Sequence, residues 1–401
     1  MVASLSPAVG FETLTWEPAA QTGYSLADQR AAVRQSGNYL AAVTADIGDL
    51  QISLPTAALA EAEDASREIA RFDSELGDEI APFAAVLLRS ESAASSNIEN
   101  LTASARAIAE AESLGGPTRH NAAIIVANTA AMQAAVALAD HIDAAAILDM
   151  HHALMHTSTP AAAGRWRDEQ VWIGGGPFGP RGADYIAPHH RRVPAAINDL
   201  IAFTHRADVP ALVQIAIAHA QFESIHPFTD GNGRTGRALM QAMLRNKGLT
   251  RHVTVPVSAG LLADTDAYFA ALTAYRDGDA APIVEQLSQA ALLAVANGRR
   301  LVADLRDIRT GWGSRITARR DSAVWKVSDL LLRRPVFNAA LLHRELGITT
   351  GNARRYIDPL VDAGIVVEFT DRARNRAWRA PEVLAALDAF AERAGRRRRS
   401  G

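Results

Sequence analysis

The sequence predicts a mainly α-helical protein with one β-hairpin and a small winged helix-turn-helix domain near its C-terminal end. Three observations lead there. Alanine, leucine and isoleucine recur three and four residues apart over much of the chain, which is the period of one helix face. The 164–188 segment, GRWRDEQVWIGGGPFGPRGADYIAP, breaks that texture with two short apolar runs, VWI and YIA, around a Gly/Pro-rich turn. Past the GWG at 311–313, two helical segments, a glycine turn, TTGNARRYIDPLVDAG and the alternating runs IVVEF and NRAWRA follow in winged-helix order.

Taken in order, the first 55 residues mix Pro, Gly, Trp and short polar clusters and define no element. Helical periodicity runs from Pro55 to Ala111, and SLGGPT at 113–118 interrupts it. It resumes in NAAIIVANTAAMQAAVALAD and AAAILDMHHALMHT. Helices are expected over 193–205 and 209–225, then through GRALMQAMLRNKGL after the loop, where Gly248 supplies a stop, then over 266–309. In the last hundred residues the expected helices lie at 322–333 and 338–346, with a recognition helix in 350–364.

The 401 residues suffice for two or three domains, and 48% hydrophobic with 21% charged content is that of a globular chain. With no cysteine there is no disulfide, thiolate metal site or cysteine nucleophile, as a cytoplasmic protein would allow. MVASLSPAVG has neither a basic nor an apolar stretch of a signal peptide, and no apolar run is long enough to span a membrane. Net charge is −3, but residues 301–401 carry 20 basic against 12 acidic side chains. Contact with nucleic acid, or with an acidic partner, is therefore expected there if anywhere.

Chemistry concentrates in HPFTDGNGRTGR, residues 226–237. Gly231 and Gly233 around Asn232, just before a helix, let backbone N–H groups point into a concavity at the positive end of that helix, a ready phosphate site. Arg234 and Arg237 fall three apart in the first turns of that helix and can grip the same polyphosphate. Asp230 beside phosphate calls for an intervening cation, and Mg²⁺ is suited to one carboxylate plus phosphate oxygens. His226, with an ordinary pKa of roughly 6.5, is a candidate general base.

These residues resemble the signature of the Fic proteins, HxFx[D/E]GNGRxxR, and His226, Phe228, Asp230, Gly231, Asn232, Gly233, Arg234 and Arg237 fill every position of it. The resemblance implies a helical Fic fold that transfers AMP from ATP to a Ser, Thr or Tyr hydroxyl of a target protein. In it His226 takes the hydroxyl proton, Asp230 holds Mg²⁺ at the α and β phosphates and Gly231, Asn232 and Gly233 line the anion hole. Arg234 and Arg237 grip the β and γ phosphates, and Phe228 anchors the loop. VWIGG and DYIAPHHRRVPAAINDL are similar to the family's flap and the segment after it, although His189 and His190 follow Pro188 where further proline is usual. The implied partner is a target protein pairing with the flap near 171–186. SSNIEN, Ser95–Asn100, is similar to the inhibitory pattern [S/T]xxxE[G/N], which implies that Glu99 pairs with Arg237 in place of the γ phosphate while Ser95 supports its helix.

The expected organisation is an N-terminal region with the inhibitory helix (1–112), a Fic core (113–300), a linker (301–320), the winged helix (321–390) and a basic tail (391–401). Asn352, Arg354, Arg355 and Tyr356, with Arg372, Arg374 and Arg376 in the wing, are the candidate contacts for DNA or a protein partner, and DNA contact is placed in 338–380. A homodimer is a further expectation. Gly174, Gly176 and Gly179 spell GxGxxG, but Pro177 and Pro180 interrupt and no helix follows, so no dinucleotide site is read there. No P-loop motif occurs. His151, His152, His156, His189 and His190 fit no zinc spacing and read as helix-surface or flap histidines. Two other functions compete with AMP transfer: removal of AMP, with Glu99 positioning water, and a nucleotide-sensing DNA-binding regulator.

Overall fold

A computed structural model describes residues 7–18, 25–76, 80–114, 120–370 and 376–395. Arg372, Arg374 and the Arg396–Arg399 run lie outside the described residues. The described part is mainly helical, with three small antiparallel sheets. None of its helices is long and apolar enough to cross a membrane.

The first 55 residues, which carried no predicted element, form strand β1 (Gly10–Trp16), helix α1 (Leu26–Gln35) and strand β2 (Gly37–Val43). Ser25 starts α1 with a capping box closed by Asp28, and β1 pairs with β2 from Gly10↔Val43 to Trp16↔Gly37. The long stretch expected to be helical resolves into α2 (Thr56–Glu75), α3 (Ile80–Ile98) and α4 (Ala105–Leu114). Along α2, Ala58, Ala62, Ala65, Ile69 and Phe72 are buried, spaced three and four apart as one face requires.

The centre is built from α5 (His120–Ala137), α6 (Ala144–Met155), α7 (Val193–Thr204), α8 (Ala211–Ile225) and α9 (Asn232–Asn246). Every residue of α8 from Leu212 to Ile225 is buried, so α8 is wrapped on all sides. It is crossed by α9, α7 and α2 and flanked by α11 (Thr265–Arg276). Next to it runs α12 (Ala281–Arg315), a single helix of 35 residues that also packs on α2, on the short α10 (Val257–Leu261) and on α11.

The expected linker at 301–320 is corrected by that helix. Leu301, Val302, Leu305 and Trp312 continue the buried stripe of α12 past residue 300, so the chain crosses the expected boundary as rigid helix. Beyond it come α13 (Ala323–Arg333), β5 (Val336–Asn338), α14 (Ala339–Leu346), α15 (Ala353–Asp362), β6 (Val367–Glu368), β7 (Ala377–Arg379) and α16 (Pro381–Gly395). The three strands pair in the order β5-β7-β6, and Gly347 ends α14 in the left-handed conformation. The expected tail from 391 begins as helix, because α16 buries Phe390 and Ala394 and extends to Gly395.

The flap is the predicted hairpin, reduced to β3 (Trp172–Ile173) and β4 (Tyr185–Ile186). Its turn is braced by the N-terminal unit. Trp16 Nε1 donates to the Phe178 carbonyl at 3.1 Å, its ring meets Trp172 edge-on at 5.2 Å, and Arg181 donates to the carbonyls of Arg34 and Ser36.

Candidate active site

The 226–237 stretch joins the C-terminus of buried α8 to the N-terminus of α9. His226 ends α8 at φ 49°, ψ 62°, one of two described non-glycine residues with positive φ. A left-handed conformation costs an L-residue about 1–2 kcal/mol, so surrounding bonds must impose it. Arg167 does so: its Nε donates to the His226 carbonyl at 2.8 Å, and its Nη atoms donate to the Glu169 and Pro188 carbonyls at 2.9 and 2.5 Å. One buried guanidinium thereby ties the loop to both arms leading into the flap.

The loop is closed from inside. Asn232 Oδ1 accepts from the Phe228 N–H and its Nδ2 donates to the Phe228 carbonyl, both at 2.8 Å, so this side chain fixes the turn while its backbone N–H opens α9. Gly231 precedes it at φ 78°. Thr235 N–H is the first to bond back, to the Gly231 carbonyl, which leaves the N–H groups of residues 232–234 as the open start of the helix. Phe228 is fully buried and stacks on His151 with ring centroids 3.6 Å apart.

His151 corrects the surface reading of the histidines. It is 1% exposed, accepts from the Gly164 N–H through Nδ1 and donates from Nε2 to the Asp230 carbonyl at 3.1 Å. Both ring nitrogens are thus committed in a neutral tautomer, and burial lowers its pKa to about 4. His151 and Arg167 are the loop-holding residues that sequence reasoning missed. His151 was legible, because it lies four after Ile147 and three before Leu154 on the buried face of α6. Arg167 carried no such signal.

His226 is also neutral near pH 7. Burial, then the charges of Arg276 and Arg167, lower its pKa to about 4, and its Nδ1 is shielded from water without a hydrogen bond. A neutral imidazole can accept a proton. Asp230 by contrast faces outward, 67% exposed, with Oδ1 accepting from the Gly231 N–H at 2.5 Å and Arg234 Nη2 at 3.3 Å. Arg234 is buried and its Nε lacks a partner. No group of three or more His, Asp or Glu side chains suited to a metal occurs among the described residues, so a cation at Asp230 would complete its shell from phosphate and water. One exposed carboxylate is an oxygen donor of the kind Mg²⁺ accepts.

Arg237 is the most enclosed charge of the site at 1% exposed. Its Nε donates to Ser95 Oγ and its Nη2 to the Ser95 carbonyl, each at 2.9 Å, and Nη2 also reaches Glu99 Oε1 at 2.8 Å. Burial alone would lower the Arg237 pKa, yet Glu99 and its neighbours raise it, and Arg237 in return holds the Glu99 carboxyl low against its own burial. A Cβ added to Gly233 would collide with Glu99 Oε1, so the Glu99 carboxylate lies directly on the glycine face of the helix start. An oxyanion already sits where a phosphate oxygen is expected.

The end of α3 delivers that carboxylate. Leu101 N–H bonds the Ser96 carbonyl and Asn100 N–H the Asn97 carbonyl, with Asn100 at φ 60°, which is a Schellman motif with Glu99 as its C-cap. The helix itself is fixed by Asn128, which donates to the Ser92 carbonyl and Ser96 Oγ, and by buried Glu91, which accepts from Ser258 N–H and Oγ at 2.9 and 2.6 Å. Far from this site, Arg354 and Arg355 are exposed on α15, Asn352 precedes it and Tyr356 packs halfway into the core.

Residues 141–244, which contain every loop residue described above, match the model of the Fic/DOC family. The chain is related to protein adenylyltransferases. It is 32% identical over 151 residues to protein adenylyltransferase fic-1 of Caenorhabditis elegans, covering 37% of this chain and 27% of that protein. It is 29% identical over 141 residues to protein adenylyltransferase Fic of Nematostella vectensis, covering 34% and 30%. The matched stretch thus spans less than a third of these curated relatives. A crystal structure of a Fic family protein from Desulfovibrio desulfuricans G20 shares the fold over 82% of this chain and 97% of that one, with a TM-score of 0.51 at 22% identity.

Proposed function

We propose that this protein is a nucleotidyltransferase that moves AMP from ATP to a Ser, Thr or Tyr hydroxyl of a target protein, and that Glu99 holds it inactive. The observation that carries this reading is the Glu99 carboxylate seated against Gly233 and bonded to Arg237, beside a neutral His226. A site that binds one oxyanion so closely is complementary to a phosphate in the same place. In the reaction the target oxygen bonds the α phosphorus, its proton passes to His226, and the bond to the β-phosphate oxygen breaks to release pyrophosphate. Arg234 and the open N–H groups of residues 232–234 hold the phosphate oxygens. Asp230 would hold Mg²⁺, which would neutralise charge on the departing pyrophosphate.

While Glu99 occupies Arg237, a nucleotide must bind without that guanidinium, and misplacement by about 1 Å costs on the order of a hundredfold in rate. The target would pair with the flap, whose β3 has no second strand partner among the described residues. Because the Glu99 side chain is still 40% exposed, water can reach it, which supports removal of AMP as a second reading. The helix, glycine turn, helix and three-stranded sheet after α12 support the winged helix-turn-helix assignment. DNA contact through Arg354 and Arg355 is weakened by Asp358, which pairs with Arg354 at 3.3 Å on the same helix. The direct test is ATP labelled on either the α or the γ phosphate: protein should acquire label from the first alone, and label from the γ position would overturn the assignment.

A further inference from the structure

An open cavity of about 420 Å³ lies where the N-terminal unit meets the flap and the 226–237 loop. Trp16, Trp172 and Phe178 give it aromatic walls, Glu17 and Glu169 belong to its lining, and Thr229 connects it to the loop, three residues after His226. Most polar atoms of its side chains are already spent. Trp172 Nε1 donates to the Gly176 carbonyl at 3.0 Å, as Trp16 Nε1 does to that of Phe178. Gln170 donates from Nε2 to the carbonyls of Val171 and Ala187 and accepts from the Tyr39 hydroxyl through Oε1. What the lining side chains still offer is aromatic surface, two carboxylates and the exposed Thr229 hydroxyl. Glu17 and Glu169 are both exposed, and neither forms an ion pair among the described residues. Arg167 feels the Glu169 charge, but its guanidinium is buried and committed to the carbonyls of His226, Glu169 and Pro188. Unpaired carboxylates beside aromatic rings, with both indole N–H groups tied off, suit a cation, which gains from the negative ring faces as well as from the carboxylates.

We infer that this cavity selects the target protein through a lysine or arginine side chain two residues from the modified hydroxyl. Residues two apart on a strand share one face and lie about 6.6–6.8 Å apart, and the three-residue step from His226 to Thr229 spans at most about 10 Å. A target strand that pairs with β3 and presents its hydroxyl to His226 therefore presents its next side chain on that face to Thr229 and the cavity mouth. The hydrocarbon stem of a basic side chain then lies on the rings while its charged end meets Glu17 and Glu169. Selection of the target rests on the AMP-transfer reading; the affinity of the cavity for a basic side chain does not.

Binding and selection are tested separately. Nα-acetyl-lysine amide titrated into the full chain should shift the indole N–H signals of Trp16 and Trp172 saturably, in the millimolar range. Nα-acetyl-norleucine amide, which keeps the stem and lacks the charge, should bind at least about fivefold more weakly. Glu17→Gln combined with Glu169→Gln, both at exposed positions that folding tolerates, should weaken lysine binding about threefold or more. Absence of saturable shifts, or equal binding of the two amides, overturns the site. For selection, Glu99→Gly is incubated with α-labelled ATP and cell lysate, and the labelled sites are mapped by mass spectrometry. Modified hydroxyls should have Lys or Arg two residues away, and Glu17→Lys with Glu169→Lys in the same background should move labelling to sites with Asp or Glu there. An unchanged set of sites overturns the role in selection, whereas absence of any AMP transfer by Glu99→Gly, with lysine binding intact, counts against the proposed function instead.

Discussion

At the scale of single residues, the site depends on buried groups whose protonation the fold dictates. His151 and His226 have pKa values lowered to about 4 and His219 to about 3 by burial. Unfolded histidines titrate near 6.5, so between these values the unfolded chain binds more protons than the folded one. Their contribution is therefore complete above about pH 6.5 and is lost as pH falls through the folded values. Glu91 and Glu223, raised to about 7 by burial, act in the opposite sense: their contribution is complete below about pH 4.5 and fades as pH rises through 7. Thermal melts from pH 4 to 8 should show an acid limb from the histidines and an upper limb that flattens in Glu223→Gln; an unchanged upper limb would contradict the buried, protonated glutamate. His151→Ala should cost about 2–4 kcal/mol in denaturant unfolding, from the lost stacking on Phe228 and two lost hydrogen bonds. A cost below about 1 kcal/mol would show that the loop does not lean on it.

At the scale of elements, the decisive feature is how α3 stops. Glu99 reaches Gly233 because Asn100 turns left-handed and ends the helix one residue after it. This gives the Asn in SSNIEN a physical meaning that no periodicity could supply. Asn100→Gly should leave labelling from α-labelled ATP at the wild-type level, whereas Asn100→Val, strained by about 1–2 kcal/mol at positive φ, should displace Glu99 and raise labelling. Equal labelling in both variants would detach the cap from inhibition. The loop residues of α8 and α9 were readable because HPFTDGNGRTGR compresses a turn, an anion site and two arginines into one segment. The N-terminal β1-α1-β2 unit was not, since two strands separated by 20 residues give no hairpin signal and the partners they meet, the flap turn at Phe178 and Arg192 just before α7, lie far along the chain.

At the scale of the whole molecule, the expected division into catalytic core, linker and C-terminal module gives way to continuity. α12 carries its buried stripe through the expected linker, Arg89 on α3 reaches the end of α13, and Asp388 on α16 bonds the start of α4. A composition shift at GWG marks where new surface chemistry begins, but Gly311 and Gly313 sit in open positions of a helix whose packing comes from Trp312. Tertiary burial overrode local propensity there. Helix α3 is therefore held between the 226–237 loop on one face and the C-terminal module on the other. The central claim, that Glu99 keeps a competent site switched off, is tested most directly by labelling from α-labelled ATP. Glu99→Gly should label itself at least tenfold more than the wild type, and adding His226→Ala to that variant should remove the gain. Labelling by Glu99→Gly no higher than that of the wild type, with folding and nucleotide binding intact, would contradict it.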